Sequence, residues 1–330
     1  MKLASSFFKT TDKKNYTSFF KRPKKAKHYN INSTDASISS KIAIIIQGPV
    51  LDNSNFIYET IKIYKKTFPK SLIILSTWDD EIEKLKEIKK LQIKLILSPK
   101  KKNYRPDVDY QIVTTNKALN FARQKKILFS LKTRTDTRIY KNNLSNFFTN
   151  LITCFPTGKK IKSKGRIIVT DVITPKYRIY GLTDICMFGY TSDLLKYFSK
   201  NLFYESLKKY KFGNYPSIIK GNPVIGEIFL CARYLRIVNH KLKWDMTDWY
   251  TALKKYFLVI DSSSINFFWY KYDWHLENKD FEFYNKNDTR LLSFSDWISI
   301  YFNKNFSFVL KKNRERWKIV NGLYKRYTLI

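Results

Sequence analysis

Short apolar runs and amphipathic stretches alternate along the first half of the chain. Four runs rich in Ile, Leu and Val predict buried strands, at 42–50 (IAIIIQGPV), 71–78, 93–98 and 127–132. Between them, apolar residues at helical spacing predict helices at about 54–68, 79–91 and 108–124. Strands that alternate with helices through short connections are typical of a parallel sheet packed between helices. The predicted fold class is therefore α/β, with a Rossmann-like N-terminal half.

The second half has a less regular pattern. Strands are predicted at 166–172 and 184–190, a helix begins within 192–198, and 223–238 is amphipathic. From Trp244 onward the chain holds six of its seven tryptophans, interleaved with Lys, Arg and Asp. These changes predict three regions: a basic N-terminal arm at 1–40, a main domain at 41–240, and a helical, aromatic and basic region at 241–330. Aromatic rings with polar tips in this last region suit contact with sugars or with a membrane surface, and the alternative is ordinary core packing.

The composition describes a folded and strongly basic protein. The 330 residues include 62 Lys and Arg against 27 Asp and Glu, for a net charge of +35. With 44% hydrophobic residues the chain can bury a large core, which excludes an intrinsically disordered protein. The charge favours a polyanionic partner: nucleic acid, an anionic membrane surface or a phosphorylated substrate. Nucleic acid is the weakest of these, because no nucleic-acid-binding motif is present.

The cysteines and the apolar runs bear on the compartment. Three cysteines far apart in the chain do not form a disulfide framework, which favours a reducing environment. No run reaches the roughly 20 apolar residues of a membrane span, and charges interrupt the N-terminal segment where a signal peptide would need a continuous apolar core. We therefore expect a cytoplasmic protein, and its charge suits a peripheral position on the inner face of the cytoplasmic membrane.

Polar residues at the predicted strand ends are the candidates for ligand binding, because open parallel sheets bind ligands there. The absence of a GxGxxG and of a P-loop lysine motif argues against dinucleotide dehydrogenases and P-loop NTPases. Polar side chains and a carboxylate at these positions still suit a nucleotide. The candidate residues for binding this nucleotide ligand are Gln47, Gly48, Pro49, Thr77, Trp78, Asp79, Lys132, Arg134, Asp136 and Arg138.

The segment KTRTDTR at 132–138 is the most informative of these. If the strand continues through it, alternation places Lys132, Arg134, Asp136 and Arg138 on one face. Three cations around one carboxylate suit a diphosphate, with Asp136 as an oxygen ligand for Mn²⁺ or Mg²⁺. The alternative is that Asp136 only forms an ion pair with Arg134 or Arg138 at the end of the strand.

Two further carboxylates are candidates for acid–base catalysis. Glu227 follows Gly226 near the start of a predicted helix, where it can serve as a general base or simply complement the helix dipole. Asp184 precedes an apolar strand and is either a second base or a turn residue. Three scattered histidines argue against a histidine metal site, and no GxSxG supports acyl transfer.

Taken together, the series IIIQGPV, LIILSTWDDE, YQIVTTNKALNFA, LKTRTDTR and LTDICMFGYTSDLLKYF resembles the WavE lipopolysaccharide-synthesis family over roughly 42–240. The motifs QGP, STW and K-x-R-x-D carry this resemblance jointly. It implies a glycosyltransferase with a GT-A-like catalytic domain, which transfers a sugar from a nucleotide-sugar to the lipopolysaccharide core or another surface glycan.

The same resemblance bears on the site. Glycosyltransferases of this fold usually hold the diphosphate through a DxD motif and a divalent metal, whereas Thr135-Asp136-Thr137 has one aspartate. Whether Asp136 holds a metal or basic residues replace the metal stays open. The segment GEIFLCARYL resembles the helix that carries the base in many inverting enzymes, which favours Glu227 over Asp184. The alternatives are another sugar-phosphate or nucleotidyl transferase, an inactive scaffold and, less favoured, a nucleic-acid-binding protein.

Overall fold

The computed structural model describes residues 22–30, 35–50, 55–102, 108–158, 161–176, 178–199, 226–270 and 291–303. The strands in this part are β1 Ile42–Gln47, β2 Leu72–Trp78, β3 Lys94–Ser98, β4 Phe129–Arg134, β5 Thr137–Ile139, β6 Ile167–Thr170, β7 Met187–Tyr190, β8 Phe257–Ile260 and β9 Phe267–Trp269. The α-helices are α1 Ala36–Ser39, α2 Asn55–Thr67, α3 Lys86–Lys89, α4 Asp109–Gln124, α5 Leu144–Cys154, α6 Thr191–Tyr197, α7 Gly226–Ile237, α8 Met246–Tyr256 and α9 Phe294–Phe302. None of these helices has the length and apolar character needed to span a bilayer.

Seven strands form the main sheet, in the order β3-β2-β1-β4-β7-β6-β8. Strands β1 to β4 are mutually parallel, as the alternating pattern predicts, and β7 is antiparallel to both of its neighbours. Because β8 is parallel to β6, six strands end at the same edge. The predicted α/β fold class with a mostly parallel sheet is confirmed.

The sheet lies between helices. Strand β2 is on one side of β1 and β4 is on the other, so right-handed crossovers place α2 and α4 on opposite faces. Strand β1 is buried along its whole length, which explains its unbroken run of aliphatic residues. The predicted helix at 79–91 is wrong in type, because Asp79–Leu85 is a 3-10 helix and only the short α3 follows it.

Described segments on both sides of the predicted main domain pack with this core. The sheet extends past residue 240, the predicted end of that domain, because its last strand in the described residues is β8. Strand β9 pairs with β5 in a separate antiparallel ribbon. Within the predicted N-terminal arm, residues 22–30 dock on the domain: the backbone N–H of Ala26 donates to Glu59 (2.6 Å), and Tyr29 donates to Asn142 (2.8 Å). Much of the basic arm and the basic stretch at 311–330 lie outside the described residues.

Candidate functional site

The polar candidates meet at one edge of the main sheet, which we call the carboxyl edge. It is formed by the ends of the six parallel strands and by the segment that leads into β7. In the strand register Gln47 of β1 is paired with Ser76 of β2 and with Arg134 of β4. The residues predicted from three separate strand ends therefore lie side by side, as expected for a parallel sheet.

A sharp turn follows β1 at this edge. Gly48 has φ +127°, a conformation that side-chain-bearing residues rarely adopt, and a Cβ there would lie 2.9 Å from Thr135 Oγ1. The N–H of Gly48 donates to Ser76 O (3.2 Å), and that of Thr135 donates to Gln47 O (3.0 Å). The turn is thus fixed between β2 and β4, with its backbone close to the end of β4.

Glu81 braces this turn, and sequence reasoning missed it. Its buried carboxylate accepts hydrogen bonds from the Val50 N–H (3.1 Å) and from the Thr77 hydroxyl. Thr77 is itself fully buried, so it acts from behind the surface. An acidic residue four positions after a strand-end threonine is the only signal in the sequence, and it is weak.

The end of β2 offers one accessible polar group. Trp78 is 2% exposed and packs on Tyr110, with ring centroids 4.4 Å apart. Asp79, the next residue, is exposed at the start of the 3-10 helix. Lys100 binds Asp80 (2.7 Å) and lies above the Trp78 ring. Trp78 is therefore part of the packing at the end of β2, while the Asp79 side chain is exposed to solvent.

The predicted common face of the KTRTDTR segment is wrong. Strand β4 ends at Arg134, and Thr135 and Asp136 form a turn before β5. The Thr137 hydroxyl closes that turn, accepting from the Arg134 N–H and donating to the Arg134 carbonyl (both 3.1 Å). Such a side-chain-to-backbone bond competes with the strand ladder, which is why alternation fails here.

Lys132 and Arg138 differ from Arg134 in that their side chains are buried. The fully buried Lys132 ammonium donates to the Asp184 carbonyl and lies 3.7 Å from the Asp184 carboxylate. Burial lowers the pKa of Lys132, and the Asp184 charge opposes this shift. Arg138 is 1% exposed and donates to the Phe56 carbonyl (2.7 Å) and the Thr60 hydroxyl (2.8 Å) of α2. Both side chains are held inside the protein.

Arg134 and Asp136 remain at the edge and bind each other. The guanidinium donates from Nε to Asp136 Oδ1 (2.8 Å) and from Nη2 to Asp136 Oδ2 (2.9 Å). The indole N–H of Trp269 also donates to Oδ2 (3.0 Å). Burial tends to raise the pKa of Asp136, but the bonds from Arg134 and Trp269 outweigh it, and the pKa is lowered. The ion-pair alternative from the sequence is the geometry found. Nothing local to the sequence signals Trp269, because only the pairing of β9 with β5 brings it here.

A divalent metal does not fit Asp136 in this arrangement. Both carboxylate oxygens already accept N–H groups, and the guanidinium occupies the side from which a cation would approach. In the part of the chain that the structure describes, no three His, Cys, Asp or Glu side chains are grouped to hold a metal ion. Asp136 is therefore assigned no metal ion in the mechanism below.

The two candidate bases lie near a common neighbour, Tyr197. Burial raises the pKa of this phenol well above its usual value, and the charges of Asp184 and Glu227 add to the effect. Asp184 is 3% exposed and bound by Lys132, whereas Glu227 is half-buried in the first turn of α7. Gly226 allows that turn to approach the body of the protein, since a Cβ there would lie 2.7 Å from Val108 Cγ2. Glu227 is the more accessible of the two carboxylates.

Fold and site define an α/β protein of the open-sheet class with a polar carboxyl edge. The chain belongs to the WavE lipopolysaccharide synthesis family, whose model matches residues 42–266, about two thirds of the chain. The resemblance seen in the motifs is thereby confirmed. No curated protein matches the chain.

Solved structures that match part of the chain include two proteins of low sequence identity. HddC from Yersinia pseudotuberculosis, complexed with GMP-PN, is 12% identical with a TM-score of 0.29, over 51% of this chain and 85% of that one. The 4-diphosphocytidyl-2C-methyl-D-erythritol synthase from Anaerococcus prevotii is 9% identical with a TM-score of 0.34, over 64% of this chain and 95% of that one.

Proposed function

We propose that the chain is a glycosyltransferase that moves a sugar from a nucleotide-sugar donor to a bacterial surface glycan, such as the lipopolysaccharide core. Membership of a lipopolysaccharide-synthesis family supports the product class. The observation that carries the proposal is the register of Arg134 with Gln47, which puts a cation beside the Gly48 turn. A fixed cation at this position would stabilise the charge that develops on a departing nucleoside diphosphate.

The donor would lie across the carboxyl edge. Gln47, Gly48 and Pro49 form the turn nearest the base and ribose, and the exposed Asp79 offers a carboxylate for hydroxyl groups. Arg134 lies on the opposite side of that turn, toward the diphosphate. Four of the predicted residues would support the carboxyl edge by packing beneath it rather than by touching the donor, because they are buried: Thr77, Trp78, Lys132 and Arg138.

Glu227 is the proposed general base. Its carboxylate removes the proton of an acceptor hydroxyl, whose oxygen forms a bond to the anomeric carbon. The bond from that carbon to the phosphate oxygen breaks, and the nucleoside diphosphate leaves with the electron pair. This series of steps inverts the anomeric configuration. Asp184, which forms an ion pair with Lys132, would place a fixed negative charge near Tyr197.

A donor screen tests the proposal. Purified protein is incubated with UDP-, GDP- and dTDP-sugars, with Mn²⁺, Mg²⁺ or EDTA, and thermal shift and nucleotide release are recorded with and without core oligosaccharide. A parallel series supplies nucleoside triphosphates together with sugar phosphates as donors. We expect one donor to stabilise the protein and to release nucleotide faster with acceptor. Release of pyrophosphate from a nucleoside triphosphate and a sugar phosphate would instead establish a nucleotidyl transferase. No response to any donor would contradict both activities.

The variant Glu227→Gln tests the base. We expect transfer to fall about 100-fold to 10,000-fold, the usual contribution of a positioned base, with donor binding unchanged. Glu83→Gln is the matched control, because Glu83 is an exposed glutamate that forms a surface ion pair with Lys86 (2.8 Å). Normal turnover of Glu227→Gln would remove Glu227 from the mechanism.

A further inference from the structure

We propose that Arg134 binds the donor diphosphate without a metal, and that Asp136 and Trp269 are positioning residues that hold its guanidinium in place. This inference rests on the proposed function and names the residues that would neutralise the diphosphate in place of a metal ion. Asp136 then orients Arg134 rather than binding a metal ion. Trp269 belongs to the same site, although no local sequence pattern predicts this.

The geometry around Asp136 is that of a carboxylate devoted to one arginine. Two parallel N–H···O bonds of 2.8 and 2.9 Å form a bidentate pair, the most directional arrangement for these groups. The Asp136 side chain is 5% exposed while that of Arg134 is 27% exposed. The carboxylate is therefore enclosed, and the guanidinium is the member of the pair that reaches solvent.

Trp269 fixes both members of the pair. Its indole N–H donates to Asp136 Oδ2 (3.0 Å), and its ring lies 5.7 Å from the guanidinium carbon of Arg134. The backbone adds a second tie, because the N–H of Tyr270 donates to the Asp136 carbonyl (2.9 Å). An indole N–H has no acceptor role, so Trp269 keeps the carboxylate ionised and stabilises the adjacent cation through its face.

The position of Arg134 suits a diphosphate. It is the last residue of β4 and the register partner of Gln47, next to the Gly48 turn. A guanidinium carries five N–H groups in a planar fork that matches phosphate oxygens, and it stays charged at every physiological pH. Asp136 engages Nε and Nη2, which sets the plane of the fork. A metal at Asp136 would have to displace this arginine from a nearly buried carboxylate, at high cost.

Binding measurements on the full chain test the inference. Titration calorimetry follows UDP, GDP and dTDP, the nucleoside diphosphate portions of the donors, in EDTA and in Mn²⁺, and electron paramagnetic resonance measures Mn²⁺ bound to the protein alone. We expect equal nucleotide affinity in EDTA and Mn²⁺, and no stoichiometric Mn²⁺ site. Arg134→Lys should weaken nucleotide binding about 10-fold to 100-fold, the range for charge-assisted hydrogen bonds, whereas the exposed Arg123→Lys should not.

Two further variants separate positioning from mere folding. Asp136→Asn and Trp269→Phe should each weaken nucleotide binding by the same factor in EDTA and in Mn²⁺. Trp269→Phe should add almost nothing in the Arg134→Lys background, because residues that act through one arginine are not additive. Loss of affinity that is fully additive with Arg134→Lys would mean a general structural effect and would overturn the positioning role.

The outcomes also distinguish this inference from the proposed function. Nucleotide binding that requires Mn²⁺, with one bound Mn²⁺ that Asp136→Asn removes, would overturn the inference and leave the transferase proposal standing. Absence of binding by every nucleotide and nucleotide-sugar in both conditions would overturn the proposed function and the inference with it.

Discussion

Gly48 satisfies two constraints: a backbone conformation that few other residues adopt, and a close approach to Thr135 of the neighbouring segment. Its φ of +127° excludes most side chains, and the Thr135 hydroxyl approaches where a Cβ would stand. The glycine in the QGP motif is therefore required twice, once by the backbone and once by the neighbouring strand.

We expect Gly48→Ala to destabilise the protein by about 2 kcal/mol or more, because it adds both backbone strain and a clash. Thr135→Ala in the same chain removes the clash but not the strain, so the double variant should recover only part of the loss. Urea unfolding measures these differences. Gly158→Ala is the control, since its nearest contact would be an ordinary 3.8 Å. Full recovery in the double variant would refute the backbone contribution.

The charged residues of the KTRTDTR segment show what residue type predicts and what it does not. Three cations around one carboxylate predict a charged binding site in this segment. Two of the cations, Lys132 and Arg138, are buried inside the protein, where they bind Asp184 and α2. Strand β4 ends at Arg134, where the Thr137 hydroxyl closes a turn, and Arg134 is the partly exposed cation of the three.

At the scale of elements, two half-buried carboxylates connect the strand ends to other segments. Asp171, just after β6, accepts from the N–H of Ser262 (2.8 Å), just after β8. Asp261 accepts from the N–H of Phe294 at the start of α9 (2.9 Å). Burial raises the pKa of Asp171 to about 6, and the neighbouring Asp261 charge contributes further. Hydrogen bonds stabilise this junction, whereas burial disfavours the ionised form of Asp171 there.

The raised pKa gives a prediction about pH. Between its ordinary value near 3.8 and about 6, the folded protein binds more protons at Asp171 than the unfolded chain does. This carboxyl therefore makes stability fall as pH rises across that window. Asp171→Asn should remove the fall and stabilise the protein at pH above 7 by up to about 3 kcal/mol, with little change below pH 4. Unfolding of both proteins across this range measures the difference.

The variant Asp80→Asn goes through the same measurement as the matched control, because Asp80 is an exposed aspartate. Parallel stability curves for the Asp171→Asn variant and the natural protein would contradict the prediction.

At the scale of the whole molecule, the net charge of +35 is the dominant property. We expect the full chain to float with vesicles rich in anionic phospholipid and not with neutral vesicles, because excess Lys and Arg are attracted to the surface potential. Ionic strength of about 1 M, where the screening length is about 3 Å, should release it. Binding that is equal on neutral vesicles, or insensitive to salt, would point to an apolar contact instead.

The sequence by itself determined the succession of β1 to β4 along the chain, the α/β class, the family and the presence of polar residues at the carboxyl edge. These follow from local signals: aliphatic runs, helical spacing and polar residues at strand ends, all read within a few residues of one another. Only the tertiary structure decided the role of each side chain there. Trp269 reaches Asp136 because β9 pairs with β5, and Lys132 meets Asp184 because β7 is inserted antiparallel beside β4. Such contacts join residues far apart in the chain, and neither residue type nor spacing encodes which of them form.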